Sequence, residues 1–311
     1  MKVIYGIGRI TNPLKKSAVA IGVFDGVHKG HQHVIKALVQ KAKSLRIPAV
    51  VITFFPHPVH ILRPHLHVPY LISLDHRLKL LEELGVDYCL VIKFNKRFSH
   101  LKPDVFVKKY LVEKLGAREI IVGDDFRFGE DRSGNLKLFE GLGARYGFHL
   151  TVISEVHENN INIHSSYLRQ RIAEGNLVQA QQILGRRVSV LGSVVKGDGR
   201  GKQLGYPTAN IQYECGVLPP NGVYLVEVFY NKKRFFGLAN IGQRPSFKPH
   251  DKKIVLEVHI LNFKKNIYGQ KLLVELIKKI RDEKEFPRAQ DLINQIRSDE
   301  KTAIQFFFHS R

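Results

Sequence analysis

The sequence predicts an α/β fold followed by a β fold in one chain of 311 residues. In residues 1–185, short apolar runs rich in β-branched residues alternate with segments of helical periodicity, a pattern typical of a doubly wound parallel sheet. From residue 186 onward, Gly, Pro and Asn turns separate strand-like runs, which predicts a small closed antiparallel β-barrel. The change of periodicity near Gly185-Arg186 divides the chain into domains 1–185 and 186–311.

The elements of the first domain follow from periodicity and from the residues that interrupt it. A strand around Val19, Ile21 and Val23 ends at the turn Asp25-Gly26, and a helix follows over residues 32–44. Further strands are predicted at 48–55, 88–92, 119–122 and 149–153, and further helices at 74–84, 103–115, 136–146 and 165–184.

His28 and His31 lie between the end of the first of these strands and the start of the helix that follows it. Helix N-termini present free N–H groups and a positive dipole end, which favour phosphate oxygens. Two imidazoles three residues apart can donate to the same anion. Gly22 and Gly30 let the backbone approach a ligand closely. The site therefore suits a polyphosphate, and the alternative is a pair of surface histidines on an ordinary turn.

The same residues carry a family resemblance. His28-Lys29-Gly30-His31 resembles the His-x-Gly-His signature of the nucleotidyltransferase superfamily, and residues 22–31, Gly-Val-Phe-Asp-Gly-Val-His-Lys-Gly-His, resemble its FAD synthetase branch. The resemblance implies a Rossmann-like nucleotidyltransferase domain in which both histidines are catalytic, stabilising charge on ATP during adenylyl transfer. It also implies nucleotide binding by Gly22, Phe24, Asp25 and Gly30.

Aromatic residues follow two other strands of the predicted sheet. Ligands of doubly wound sheets bind beyond the carboxyl ends of the strands, so these segments are expected to converge near His28. The rings either stack on a planar ligand or fill the core. Residues 123–129 resemble the flavin-contacting loop of FAD synthetases, with Asp125 where Asn is frequent, which favours ring binding. The expected flavin contacts are Phe54, Pro56, His57, Pro58, Asp125 and Phe128.

A second anion site is predicted where the last helix of this domain begins. Ser165 and Ser166 provide N-terminal hydroxyls, and Arg169 follows one turn later. The alternative is a simple helix cap with a surface arginine. The stretch also resembles the second signature of the superfamily, which implies nucleotide binding by these three residues. It departs from that signature at His164 and Leu168.

Strands of the second domain are predicted at 187–196, 208–212, 222–230, 233–240 and 253–261, and the closing helix at 288–307. A glycine-rich loop, Gly197-Asp198-Gly199-Arg200-Gly201-Lys202, follows the first of them. Its backbone N–H groups and Lys202 suit phosphates, although its spacing and its following strand differ from those of a Walker A motif. The alternative is a tight hairpin. We expect ATP contacts from Gly197, Gly199, Gly201 and Lys202.

Thr208 and Asn210 are two residues apart, so their hydroxyl and amide share one face of a strand and suit a hard cation such as Mg²⁺. By itself, such a pair is typical of ordinary strand side chains. Pro207-Thr208-Ala209-Asn210 resembles the Mg-ATP signature of riboflavin kinases, which implies that both residues bind metal and ATP. In that family the catalytic base corresponds to Glu257. The alternative is that Glu257 is an ordinary solvent-facing residue on a strand in which apolar and polar residues alternate.

Composition narrows the classes of protein and partner. The net charge is +21, with 26 Lys and Arg against 16 Asp and Glu in residues 1–185 and 23 against 12 in residues 186–311. Because the excess is spread evenly, we expect anionic small substrates and no dedicated nucleic-acid partner. Two distant cysteines, no export signal and no apolar run of membrane-spanning length predict a cytoplasmic protein with no membrane partner. Weak self-association stays open.

The whole chain resembles a bacterial bifunctional riboflavin kinase/FAD synthetase. The resemblance implies ATP-dependent phosphorylation of riboflavin to FMN in the second domain. In the first, a second ATP adenylylates FMN to FAD and releases pyrophosphate. The substrates and products are riboflavin, FMN, FAD and ATP, with Mg²⁺ as cofactor. There are two alternatives. One is an enzyme in which only one of the two domains is catalytically active, and the other is a basic nucleic-acid-binding protein.

Overall fold

The computed structural model describes residues 1–154, 157–158, 161–213, 216–243 and 254–308. The chain divides into two compact units. One consists of Met1–Tyr70 and Leu74–Ser165, and the other of Leu71–Ser73 and Ser166–Arg311.

A six-stranded sheet forms the centre of the first unit. Its strands are β1 (Lys2–Tyr5), β2 (Ser17–Ile21), β3 (Ala49–Phe55), β4 (Tyr88–Lys93), β5 (Ala117–Gly123) and β6 (His149–Ile153). The order across the sheet is β1-β4-β3-β2-β5-β6, and every neighbouring pair is parallel. After β2 the chain builds one side of the sheet and then returns to the other side with β5. The predicted doubly wound sheet is confirmed, and its switch point lies between β2 and β5.

Helices cover the sheet. They are α1 (Lys29–Leu45), α2 (Pro58–Leu62), α3 (Leu74–Glu83), α4 (Lys96–Ser99), α5 (Pro103–Phe106) and α6 (Leu136–Tyr146), with a π-helix over Val107–Val112. A two-stranded hairpin, β7 (His157–Glu158) and β8 (Ile161–Asn162), follows β6. Helix α1 buries Ile35, Leu38, Val39 and Ala42. This one-sided stripe at helical spacing packs the helix against the sheet.

The second unit contains a closed six-stranded barrel. Helices α7 (Ser165–Ala173) and α8 (Leu177–Leu184) precede it along the chain, and α9 (Arg200–Gln203) lies in the connection between its first two strands. The strands are β9 (Ser189–Val195), β10 (Ala209–Gln212), β11 (Gly222–Tyr230), β12 (Lys233–Gln243), β13 (Ile254–Ile260) and β14 (Lys271–Arg281). They close in the order β10-β13-β12-β11-β14-β9, and all neighbours are antiparallel. The predicted barrel is confirmed.

The closing helix α10 (Ala289–Phe308) packs on the outside of this barrel. Ala303 and Phe307 join a cluster with Val223, Leu225 and Leu238. A second attachment is polar. Nε and Nη2 of Arg281, on β14, donate to the buried carboxylate of Asp299 at 2.8–3.1 Å. A bidentate pair of this kind fixes orientation as well as contributing energy.

Strand β1, the β7–β8 pair and the short helices α2, α4 and α9 are absent from the predicted set. Three longer segments also differ from the prediction. Strand β14 is absent from the predicted set, because Lys-Leu-Leu-Val-Glu-Leu-Ile-Lys-Lys has an apolar spacing that fits a helix as well as a strand. The predicted helix 165–184 is two helices, because Gly175 has φ +79° and Asn176 caps α8. The predicted helix 103–115 becomes a π-helix after Phe106.

Among the residues that the structure describes, no helix has the length and apolarity needed to cross a membrane. Of the two cysteines, Cys89 is a buried free thiol on β4, and Cys215 lies outside the described residues.

Candidate active sites of the two units

His28 and His31 lie at the start of α1, immediately after the switch-point strand β2. His28 is the N-cap residue, and its Nδ1 accepts the backbone N–H of His31 at 3.4 Å. The two imidazole rings stack at 3.6 Å between centroids with an interplanar angle of 19°. The edge of Phe24 packs against His31 at 5.4 Å. The structure thus brings both histidines together at a helix N-terminus, as predicted.

The turn between β2 and α1 is tightly packed. A Cβ at Gly22 would lie 2.8 Å from the ring of Phe24, and one at Gly30 would lie 3.3 Å from the ring of His28. A side chain at Gly22 would therefore clash with Phe24, and one at Gly30 would fit only if the His28 ring moved by a few tenths of an ångström. Asp25 is buried, 3.6 Å from the guanidinium of Arg77, and its carbonyl accepts the hydroxyl of Ser165 at 3.3 Å.

The segment after β3 lies at the same edge of the sheet, because the strands are parallel. Phe55 and Pro56 are joined by a cis peptide bond. His57 caps α2 by accepting the N–H of Val59 at 3.1 Å, and its own N–H donates to the hydroxyl of Tyr70 at 2.9 Å. Pro58 occupies the first position of α2. This edge therefore presents a proline-rich turn in which His57 makes two hydrogen bonds.

The aromatic residues are largely core. Phe54 packs edge-on against Phe94 at 5.9 Å. Phe128 is buried, stacks on Phe126 at 5.5 Å and contacts Phe139 at 4.7 Å. Asp125 is exposed on the loop that follows β5. The predicted flavin contacts thus come from the ends of two strands, and ring stacking by Phe54 or Phe128 stays a prediction.

Ser165, Ser166 and Arg169 lie in the first two turns of α7. Ser165 belongs to the first unit, where it contacts Asp25, whereas the helix from Ser166 onward groups with the second unit. Anion binding by Ser166 and Arg169 stays a prediction.

In the second unit, the strand register assembles a polar row. Glu257 on β13 is directly opposite Asn210 on β10 and directly opposite Asn240 on β12. Directly opposed residues of antiparallel strands share a face, with Cβ atoms about 4.5–5.5 Å apart. Leu256 and Val258 point into the barrel and are buried, so this row lies on the outer face of the barrel.

The glycine-rich loop covers one end of this row. A Cβ at Gly197 would lie 2.2 Å from the side-chain amide of Asn210, and one at Gly201 would lie 3.1 Å from the hydroxyl of Thr208. Lys202 is exposed in the short helix α9. The loop is therefore not the tight hairpin that was the alternative, and its backbone lies directly against the two predicted metal and ATP ligands.

His259 borders the row on the same face as Glu257. Its Nδ1 lies 2.9 Å from the carbonyl of Pro207, its ring packs on Tyr206 at 5.7 Å, and its Nε2 is 3.9 Å from Glu300 on α10. His259 thereby links the Pro-Thr-Ala-Asn motif to the closing helix. Sequence analysis assigned no site role to His259, Asn240 or Arg77.

Comparisons with known proteins match both halves of the chain to families. The FAD synthetase family matches residues 10–167, and the riboflavin kinase family matches residues 184–307. Relatives named bifunctional riboflavin kinase/FMN adenylyltransferase include those of Buchnera aphidicola subsp. Schizaphis graminum (40% identical, covering 99% of both chains) and Escherichia coli K12 (38% identical, covering 99% of this chain and 98% of the relative). The relative from Bacillus subtilis is 34% identical and covers 95% of this chain and 94% of its own.

A crystal structure titled as a macrolide-efflux protein from Streptococcus pneumoniae is similar over 97% of this chain and 99% of that chain. The TM-score is 0.83 and the identity 29%. Both halves of the chain thus match a catalytic family in the predicted order. The chain belongs to the bifunctional riboflavin kinase/FMN adenylyltransferase family, transferases with an N-terminal FMN adenylyltransferase domain and a C-terminal riboflavin kinase domain.

Proposed function

We propose that adenylyl transfer takes place at the junction of β2 and α1. The observation that supports this most is the stacked pair of His28 and His31 at a helix N-terminus beside the switch point of the sheet. Backbone N–H groups and imidazole donors at such a position favour the phosphates of ATP. Gly22, Phe24 and Gly30 shape the turn closely around the same point.

In this reaction a phosphate oxygen of FMN attacks the α-phosphorus of ATP. The bond between the α-phosphorus and the bridging oxygen breaks, and pyrophosphate leaves with the electron pair. No covalent enzyme intermediate is required. Catalysis then consists of holding two anions in line and neutralising charge that develops in the transition state, which is the role proposed for both histidines.

The kinase site is proposed to lie on the outer barrel face around Glu257. Its carboxylate takes the proton of the ribityl 5′-hydroxyl as that oxygen attacks the γ-phosphorus of ATP, and ADP leaves. The loop of Gly197, Gly199, Gly201 and Lys202 holds the phosphates. The close approach of Gly197 to Asn210 supports this arrangement, because a side chain there would fill the space beside the amide.

Magnesium fits the donors at this site. The hydroxyl of Thr208 and the amide of Asn210 are neutral oxygen ligands, which suits a hard cation that keeps several waters and binds substrate phosphates. When bound, the ion neutralises charge on the transferring phosphoryl group. Thr208 and Asn210 are the residues we propose to hold it.

We further propose that residues 1–185 and 186–311 act as the two catalytic domains, that the enzyme works in the cytoplasm, and that any self-association is weak.

The decisive experiment for the two activities incubates the purified chain with riboflavin and ATP and follows FMN, FAD, ADP and pyrophosphate by chromatography. Formation of FMN before FAD, with ADP and pyrophosphate respectively, is the expected result. FMN alone, or no flavin product, contradicts the proposal.

A further inference from the structure

Arg77 on α3 is the largest side chain in the described part of the chain that is fully buried. A guanidinium removed from water is costly unless it is paired and hydrogen-bonded, so its presence in the interior needs a reason. The proposed catalytic roles do not use it directly.

Contacts of Arg77 join two segments that both end at the adenylyl-transfer edge of the sheet. Its Nη2 is 3.6 Å from the buried carboxylate of Asp25, in the turn after β2. Its Nη1 donates to Thr53 Oγ1 and to the carbonyl of Phe54, both at 3.3 Å, at the end of β3. Thr53 in turn donates to the carbonyl of Val23 at 2.8 Å. One side chain thus ties the ends of two adjacent parallel strands together.

The turn held by this contact is strained. Phe24 has φ +52° and Val27 has φ +43°, and both are buried. Positive φ is disfavoured for residues with a Cβ, most of all for a β-branched residue. Such conformations persist only where the surroundings overdetermine them, and they cluster at functional sites. Val27 directly precedes His28, so relaxation of the turn would move the imidazole pair.

The second segment leads to the predicted flavin contacts. The carbonyl that accepts from Arg77 belongs to Phe54, two residues before Pro56. A change in the direction of this strand end would therefore move the Pro56–Pro58 turn relative to α1. Catalysis by orientation requires near-ångström precision between the two reactants.

We propose that Arg77 is a positioning residue for adenylyl transfer. Its buried guanidinium connects the strained Phe24–Val27 turn to the end of β3. This connection fixes the position of His28 and His31 relative to the Pro56–Pro58 turn. This inference rests on the proposed function of the two histidines. It requires an effect on the turnover number of FAD synthesis, beyond any effect on folding.

The experiment compares Arg77→Met, which keeps the length and loses the charge, with Arg77→Lys, which keeps a cation beside Asp25. Thr53→Val, a nearly isosteric change in a strand, tests the same connection in a protein expected to fold. Glu119→Gln is the matched control, because Glu119 is also buried and charged but contacts His149 and Thr151 near the amino ends of β5 and β6, and Lys41 in the last two turns of α1, at the opposite end of that helix from His28. For each protein we measure the thermal unfolding midpoint, the kinase rate, and the kcat and KM of FMN adenylylation.

Arg77→Met is expected to lower kcat for FAD synthesis by roughly 10–100-fold, as a small misplacement does, while KM for FMN and the kinase rate change less than threefold. Arg77→Lys should recover part of the loss, and Thr53→Val should lose several-fold. Glu119→Gln should lower the melting temperature without lowering kcat. If Arg77→Met does not fold, the kcat of Thr53→Val for FAD synthesis tests the proposal in its place.

An unchanged kcat in folded Arg77→Met or Thr53→Val would overturn the proposal, as would a loss no greater than that of Glu119→Gln at equal stability. His28→Ala is measured in parallel. If it too retains full FAD synthesis, the proposed histidine role is wrong. If only His28→Ala loses activity, the histidine role stands and the positioning role is wrong.

Discussion

Asn210 and Glu257 face each other directly across the β10–β13 ladder, on the outer face of the barrel. One belongs to the motif predicted to hold Mg-ATP and the other is the predicted base. They are 47 positions apart in the sequence, and the antiparallel register alone makes them neighbours. This arrangement is what a phosphoryl transfer site needs, because the base and the phosphate ligand must act on the same pair of reacting atoms.

Glu257→Gln should abolish most of the kinase activity. The change keeps shape and hydrogen bonding but removes the base, so we expect the rate constant to fall by roughly 10²–10⁴-fold, with a smaller change in riboflavin affinity. FAD synthesis from supplied FMN provides the internal control in the same protein and should survive. A kinase rate within a few-fold of that of the parent would rule out this role for Glu257.

Gly197→Ala should weaken ATP binding in the kinase site. The added Cβ would meet the Asn210 amide at 2.2 Å, so the loop or the asparagine must move. We expect a higher KM for ATP in FMN formation. Gly141→Ala is the matched control, because its Cβ meets nothing within 4 Å in helix α6. Equal kinetics for the two variants would show that the loop does not contact the nucleotide.

His28→Ala and His31→Ala should each lower FAD formation by roughly 10²–10³-fold, as lost electrostatic donors do. FMN formation should stay nearly unchanged. The measurement is the rate of pyrophosphate release with FMN and ATP as substrates. Parallel loss of both activities would indicate misfolding, and full retention would return the pair to the role of surface histidines.

Cys89 should be protected from alkylation while the chain is folded. Burial raises the pKa of its thiol from 9.0 to about 12, with an opposing effect from Arg77. Because the unfolded thiol ionises first, the stabilisation is complete below about pH 9 and is lost as the pH rises toward 12. In a Cys215→Ser background, iodoacetamide at pH 8.5 should modify Cys89 only as fast as the protein unfolds. Modification at the rate of a free thiol would contradict this.

Fragment 166–311 should be more stable than fragment 186–311, although both are expected to make FMN and no FAD. Helix α8 packs against β14 and buries Leu177, Ala180, Ile183 and Leu184, so a fragment that begins at residue 186 loses this apolar contact. Urea unfolding of the two fragments measures the difference. Equal midpoints would place the boundary at 185, and inactivity of both with an active full chain would contradict separability.

The sequence by itself determined the two fold types and the motifs. Parallel strands buried on both faces require continuous apolar runs, and helices require one-sided stripes, so periodicity alone separates the halves of the chain. His28 and His31 are close in sequence and occupy one helical turn, so local geometry brings them together. The prediction that Thr208 and Asn210 share a face is local too, because it rests on the two-residue period of a strand, although β10 begins at Ala209.

Only the tertiary structure decided which distant residues meet. The Asn210–Glu257–Asn240 row depends on strand register, and a shift of one residue would turn every side chain to the opposite face. The pairing of Arg77 with Asp25 depends on where α3 packs against the sheet. Strand β14 pairs with β9 and β11 although its apolar spacing also fits a helix, because closing the barrel satisfies backbone groups at both of its edges. Such contacts join residues that are far apart in the sequence, so local sequence patterns do not predict them.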